Sequence, residues 1–343
     1  MSDHFKHKQI QKSHRKYTIQ KVHETVDFVI KLISTFCFST MNIRNISMSP
    51  GRKQSPVTTQ QQQQPVQNNG QLTQEQIVSL IKKINKSEKD RAQAVQVLVA
   101  NRANIPDLAL MLWFSPATTT SLLTDILNFY PQLVSTKTNS PTANAVYNSL
   151  ILLQIIADHE ETRLPFVRAN IPIYLIPIIH HTLTNNETEY ITGVVISIIS
   201  SIVKDSEPEI IESLVNADFM STCIHVISLS RGLIRTAATF ILNRILSNDK
   251  GKAFAIEKVE RIQTIVKVYN HILTELNSEF DPQLSKNVVE GYRRILQDQS
   301  ATTVAGELIS DDLRSKPIQM SCDAQYRDLV GQLRNYASRQ PKR

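Results

Sequence analysis

The sequence predicts an all-α, right-handed solenoid of stacked helical repeats, and three observations carry the prediction. Glycine is scarce: 8 in 343 residues, against a usual share of about 7%. Apolar residues recur at helical spacing behind recognisable caps. A pattern of long helix, acidic turn, short helix and long helix then returns three times, marked by Asp158, Asp205 and Asp249 at spacings of 47 and 44. Units of about 40–47 residues with two or three helices are of the armadillo or HEAT kind. One unit cannot bury its own apolar face, so neighbours stack into a continuous core.

The elements follow in order. Thr73 and Gln76 form a capping-box pair before a helix with Ile77, Leu80, Ile81 and Ile84 on one face. Ser87 caps the next, which carries Ala92, Val95, Leu98 and Val99. Pro106 is expected to open a third helix running through Trp113. Ser115-Pro116 opens a fourth with Leu122, Leu123, Ile126, Leu127 and Tyr130, and Pro131 ends it. Proline suits a first helical turn because its missing N–H has no partner there.

The first repeat copy has Ile151 to Asp158, Phe166 to Asn170 and Tyr174 to Ile179. The second has Ile198 to Asp205, Ile210 to Ala217 and Phe219 to Ile227. The third has Phe240 to Asp249, Phe254 to Val259 and Ile262 to Tyr269. C-terminal helices carry Leu284, Val288, Val289, Tyr292, Ile295 and Leu296, followed by a capping pair near 323–336. The organisation expected is an arm over 1–71, a repeat domain over 72–338 and a tail over 339–343.

Charge separates the arm from the rest. Residues 1–71 hold ten Lys/Arg and three acids, the whole of the net +7, whereas 72–343 are balanced. Residues 1–47 are basic. Residues 48–71, with Gln60 to Gln64 and Asn68-Asn69-Gly70, are low-complexity and expected to be disordered. The arm is read as a solvated tail, with Met41 and Met48 as alternative starts to Met1. Nucleic-acid contact, if made, is expected to be weak and to run through residues 1–53.

Several function classes are disfavoured. The eight glycines are scattered, so no loop can cradle phosphates. Cys37, Cys223 and Cys322 are too dispersed for a zinc knuckle or disulfide framework, which points to a reducing compartment. The longest apolar run, Phe28 to Phe38, is interrupted by Lys31 and too short to span a bilayer. His180-His181 are adjacent, so their side chains diverge on a helix. His159 reads as a cap. Asp311-Asp312 and Glu207/Glu209 sit where acids offset helix dipoles. Ser200-Ser201 and Thr118 to Thr120 are not nucleophile contexts. No metal, cofactor or catalytic residue is assigned, and the chain is not expected to be an enzyme.

What remains is surface. A solenoid presents a long concave face suited to an extended peptide or partner helix. Leu233, Thr236, Ala237 and Phe240 share a helix face. Thr236 and Ala237 are candidate groove residues, with small Ala237 leaving room for a ligand side chain, and Phe240 is expected in the core. With Trp113 alone, the tryptophan ladder of an import receptor is missing.

An ordered series of short matches then resembles a known family. It runs Pro106-Asp-Leu-Ala-Leu-Met-Leu-Trp113, Leu122 through Pro131, Leu152-Leu-Gln154, His159 with Glu161-Thr-Arg163, Ile171-Pro172 with Pro177, Glu189-Tyr190, Ala238 to Leu242, and Glu260-Arg261. Over about residues 72–338 the chain is similar to the cell-differentiation (Rcd-one-like, or Caf-forty) family, the armadillo subunit of the CCR-NOT deadenylase complex. The resemblance implies six armadillo repeats and a non-catalytic adaptor role in mRNA decay and translational repression. It implies docking on the Not scaffold subunit and binding of regulatory peptides. It carries scaffold contacts onto Trp113, Phe114, Ser115, Thr118 and Thr120, and a peptide groove onto Tyr190, Thr236, Ala237 and Arg261, beside Leu233. A cytoplasmic location is expected, with the nucleus as a second. A homodimer is left open, because solenoid faces are large.

The departures have consequences. Phe114 and Pro116 stand where the family has His and Phe, which removes a hydrogen bond at the scaffold surface. Asp298 to Thr302 replace an arginine-bearing stretch, and Val259 replaces an aromatic. Both changes predict weak tryptophan capture and weak nucleic-acid binding. The chain therefore reads as a divergent paralogue. The alternative function is an armadillo peptide-binding protein that no longer docks on the scaffold.

Overall fold

The computed structural model describes residues 72–133, 140–183, 185, 188–276, 281–308 and 331. The described residues form helices and no strand. The helices are α1 Gln74–Ile84, α2 Glu88–Asn101, α3 Leu108–Trp113, α4 Thr118–Leu133, α5 Ser140–Asp158, α6 Glu160–Arg168, α7 Ile176–Thr182, α8 Glu189–Val203, α9 Pro208–Asn216, α10 Phe219–Leu229, α11 Gly232–Ser247, α12 Asp249–Ile256, α13 Val259–Glu275, α14 Pro282–Ile295 and α15 Gln299–Leu308. Short 3₁₀ turns cover Arg102–Asn104 and Ile171–Leu175.

They stack in three columns. The short helices α3, α6, α9 and α12 form one. Helices α1, α4, α7, α10, α13 and α15 form a second. The long helices α2, α5, α8, α11 and α14 form the third, each packed on the next. This is an armadillo-like solenoid with four complete three-helix units, a two-helix start and α15 at the far end. The core is continuous from Ile77 to Ala305. Helix α8 is buried along most of its length, from Ile191 to Val203, as suits the middle of a stack.

Local chemistry sets most helix starts. The Thr73 hydroxyl accepts from the Gln76 N–H at 3.3 Å, and the Gln76 side chain accepts from the Thr73 N–H at 2.8 Å. Ser87 caps α2 through the Asp90 N–H. Three expectations are corrected. Pro106 lies in the turn before α3, which begins at Leu108 after a left-handed Asp107. Pro116 lies in a turn as well, and left-handed Ala117 delays α4 to Thr118. Pro131 does not end α4, which continues to Leu133. So near the end of a helix, a proline removes little that packing cannot replace. The pair expected near 323–336 lies outside the described residues except for Gly331, and so do the arm over 1–71 and the tail.

Neighbouring repeats are tied by polar bridges. Asp125 accepts from Arg91 at 2.8 Å and from Ser149 at 2.7 Å. Two of the recurring aspartates belong to this set. Lys204 donates to both the carboxylate and the carbonyl of Asp158 at 2.9 Å. Buried Arg163 donates to the Asp158 carbonyl at 2.9 Å and pairs with Asp205. The acidic turns at Asp158 and Asp205 thus anchor neighbouring units, whereas Asp249 is exposed and pairs locally with Lys252 at 3.6 Å.

Candidate functional site

The candidate face lies on the column of long helices. Tyr190, in the first turn of α8, is 41% exposed. It packs edge-on against Tyr147 of α5, with ring centroids 5.3 Å apart. Partial burial raises its phenol above the usual tyrosine value. Leu233, in the first turn of α11, is 59% exposed. It follows Gly232, whose φ of +54° makes the tight entry from α10. Tyr147, Tyr190 and Leu233 are each 43 residues apart. The same offset joins Gln154 to Ser197, whose hydroxyl accepts its amide at 2.7 Å.

That register organises the face into rows. Tyr147 and Tyr190 form an apolar rim, and the same offset counted onward to α11 reaches exposed Leu233. Ile151, Val194 and Ala237 form the next row, and Gln154, Ser197 and Phe240 the third. Helices α8 and α11 pack closely at Gly193, where an added side-chain carbon would meet the Ile234 side chain at an ordinary 3.7 Å. The result is a partly exposed surface with a mostly aromatic rim, an aliphatic step narrowing to Ala237, and the Gln154–Ser197 pair beyond it. Such a surface can bind an extended segment through apolar anchors and amide hydrogen bonds.

The expected groove residues are not all in one place. Tyr190, Leu233 and Ala237 share the face. Thr236 is more buried, with its hydroxyl donating to the Gly232 carbonyl at 3.1 Å and lying 3.3 Å from Asp281, the cap of α14. Arg261 is on α13, in the second column. Its guanidinium lies 3.5 Å from the centre of the Phe254 ring and 3.0 Å from Glu257. It also donates to the Phe254 carbonyl. Its partners therefore all lie on or beside α12, away from the α8–α11 rows. Val259, two residues before it, is half exposed. Phe240 is a correction: it is half-buried, with the Arg244 guanidinium 5.0 Å over its ring, so it borders the face and is not enclosed by the core.

The other candidate surface is the turn between α3 and α4. Trp113 is only 4% exposed and serves the core. Thr118 is fully buried, Phe114, Ser115 and Thr120 are half-buried, and Pro116 and Ala117 are exposed. The Asn85 amide holds this turn by donating to the Pro116 carbonyl at 2.7 Å.

Among the described residues no group of three His, Cys, Asp or Glu is placed to hold a metal. His180 meets His225 of the adjacent helix α10, ring centroids 5.3 Å apart, and not its sequence neighbour. A cavity of about 300 Å³ lies elsewhere, among Asn170, Ile173, Glu209 and Asn216. No single described helix is long and apolar enough to cross a membrane. His159 caps α6, accepting the Glu161 N–H at Nδ1 (3.3 Å), and is buried. Burial lowers its pKa, more than the nearby acids Glu161, Asp107 and Glu160 raise it, and Arg163 lowers it further. The unfolded imidazole, near 6.5, binds the proton more readily. Stability linked to this group is therefore present above about pH 6.5 and declines below it. Urea midpoints measured between about pH 7.5 and 5 should fall less steeply for His159→Asn, which can still cap α6.

Residues 80–335 match the model of the cell differentiation family, Rcd1-like. The chain belongs to this family. It is 31% identical over 243 residues to the cell differentiation protein rcd1 of Schizosaccharomyces pombe, covering 71% of this chain and 84% of that one. It is 31% identical over 225 residues to protein CAF40 of Saccharomyces cerevisiae, covering 65% of this chain and 60% of the relative. A computationally designed armadillo repeat protein for modular peptide recognition superposes with a TM-score of 0.54 at 12% identity, covering 76% of this chain and 99% of that one. That likeness establishes the armadillo-type fold. Within this Rcd1-like chain, Tyr147 and the 43-residue register escaped the sequence reading. Tyr147 lay just before the first repeat copy recognised, although its offset to Tyr190 and Leu233 was countable.

Proposed function

We propose that this chain is a non-enzymatic adaptor subunit of the CCR-NOT complex, linking the Not scaffold and its deadenylases to regulatory proteins in mRNA decay and translational repression. Membership of the Rcd1-like family carries the reading. The partly exposed rows on α5, α8 and α11 support it, because they offer a continuous face for a peptide. Tyrosine anchors of this kind contribute a large share of binding energy at interfaces. The designed armadillo neighbour recognises peptides modularly, which is in keeping with that use of the fold.

A second reading is an armadillo peptide-binding protein detached from the scaffold. The α3–α4 turn favours it. Pro116 is exposed, Ala117 is left-handed and Trp113 is withdrawn into the core. Phe114 retains apolar surface but offers no side-chain donor.

Purification of the tagged chain from its own cells separates the two. Co-purification of the Not scaffold and deadenylase subunits, lost on Phe114→Glu, supports the adaptor. A folded chain that recovers regulatory partners without any complex subunit supports the second reading. In either case the combined Tyr190→Ser and Leu233→Glu variant should weaken capture of groove partners at least tenfold, about 1.4 kcal/mol. Both side chains are exposed, so circular dichroism should be unchanged.

A further inference from the structure

We propose that Ser115 is a phosphorylation site whose phosphate is held within the same chain by lysines of the α1–α2 turn. Ser115-Pro116 is a Ser-Pro dipeptide in the turn between α3 and α4. Pro116 and Ala117 are exposed, Ser115 is half-buried, and its hydroxyl has no hydrogen-bond partner among the described residues. A proline-directed serine/threonine kinase reads such a dipeptide on an open turn.

The receptor is already alongside. Asn85, between α1 and α2, donates to the Pro116 carbonyl at 2.7 Å and accepts from the Ser121 hydroxyl at 2.9 Å. These bonds hold the α1–α2 turn against the Ser115 turn. Lys82, Lys83, Lys86 and Lys89 all lie in that segment. All four are exposed, and none makes an ion pair among the described residues. Lys82 lies three residues before Asn85 and so on the same side of the chain, and Lys86 is its neighbour. The last turn of α1 explains Lys82 and Lys83, since cations favour a helix C-terminus. It does not explain Lys86, or Lys89 in the first turn of α2, where a positive charge is disfavoured. Nearby acids do not neutralise the set. Glu75 lies at the far end of α1, which leaves Glu88 and Asp90 against four lysines.

The chemistry is ordinary phosphoryl transfer from ATP. The Ser115 oxygen forms a bond to the γ-phosphorus, the bond to the ADP oxygen breaks, and the hydroxyl proton passes to the kinase's base. The product carries a charge of about −1.5 to −2 at pH 7. Flexible four-carbon lysine stems can reach it. Charge-assisted hydrogen bonds then join the α1–α2 turn to the start of α4, in parallel with Asn85. This capture is intramolecular and does not depend on scaffold docking.

The test uses the full chain, a purified proline-directed kinase and Mg-ATP, with site-resolved mass spectrometry. Ser49, Ser55 and Ser140 also precede proline and serve as internal references. Phosphate at Ser115, absent in Ser115→Ala, is expected. The thermal midpoint should then rise by about 2–4 °C at low salt. Most of the rise should vanish near 0.5 M salt, where the screening length is about 4 Å. In a Lys82→Ala, Lys86→Ala, Lys89→Ala variant the phosphate should still be added but the rise should be lost. Arginine at the same three positions should restore it. Labelling of the other Ser-Pro sites without Ser115 would overturn the site. An equal shift in the wild type and the alanine variant would overturn the lysine receptor.

Discussion

Gly251→Ala is expected to destabilise the protein by about 3 kcal/mol or more, at the upper end of overpacking effects. A side chain at residue 251 would place its first carbon 2.0 Å from the Ile245 carbonyl oxygen and 2.9 Å from the Ile245 side chain. The first contact is with backbone, so no rotamer change relieves it. Helix α12 must move off the end of α11, and α12 also packs on α9 and α13. Damage in a solenoid spreads through such neighbour interfaces. Thermal unfolding should shift down by about 6–12 °C. Gly193→Ala is the contrast. Its added carbon would meet the Ile234 side chain at 3.7 Å, an ordinary contact, and alanine favours the helix by about 1 kcal/mol. If the two substitutions shift the midpoint equally, the close approach of α12 to α11 is wrong.

Asn243→Leu is expected to cost about 2–4 kcal/mol, although leucine has nearly the same size. Asn243 is buried in α11 and joins three helices. Its carbonyl oxygen accepts from the Tyr269 hydroxyl at 2.9 Å, and its amide donates to the Asn287 carbonyl on α14. Asn287 in turn donates to the Thr236 carbonyl at 3.0 Å. Leucine leaves a fully buried tyrosine hydroxyl unpaired, at about 1–3 kcal/mol, and removes a second bond to a helical carbonyl, at about 1 kcal/mol. Gly291 makes room for the network, with the Tyr269 and Asn243 polar atoms where a side chain would stand. Pairing Asn243→Leu with Tyr269→Phe removes the orphaned hydroxyl and should recover part of the loss. A fully additive double variant would argue against the bond.

These two sites mark the limit of what the sequence discloses. The caps at Thr73 and Ser87 and the acidic turns at Asp158, Asp205 and Asp249 were legible because their partners lie within a few residues or recur at a fixed period. The ends of α3 and α4 were not. Helix boundaries at Pro106, Pro116 and Pro131 depended on left-handed residues and on packing across the stack. The apolar rim was partly legible in Tyr190 and Leu233, with Tyr147 overlooked. Arg261, carried over to the same groove by resemblance, has its contacts on α12. Linear similarity has no information about which column a helix occupies.

Residue pattern alone therefore determined an all-α repeat architecture, because helix periodicity, capping and glycine scarcity are local properties of the chain. The ordered motifs also pointed to the family. Tertiary structure decided which faces became surface. It enclosed Trp113, half-exposed Phe240, brought His225 to His180 and set α5 against α8 at an offset of 43. It also pressed α12 onto the end of α11, where only glycine fits. Each of these depends on contacts between helices distant in sequence, where steric fit and the pairing of buried polar groups choose among arrangements that the periodicity leaves equivalent.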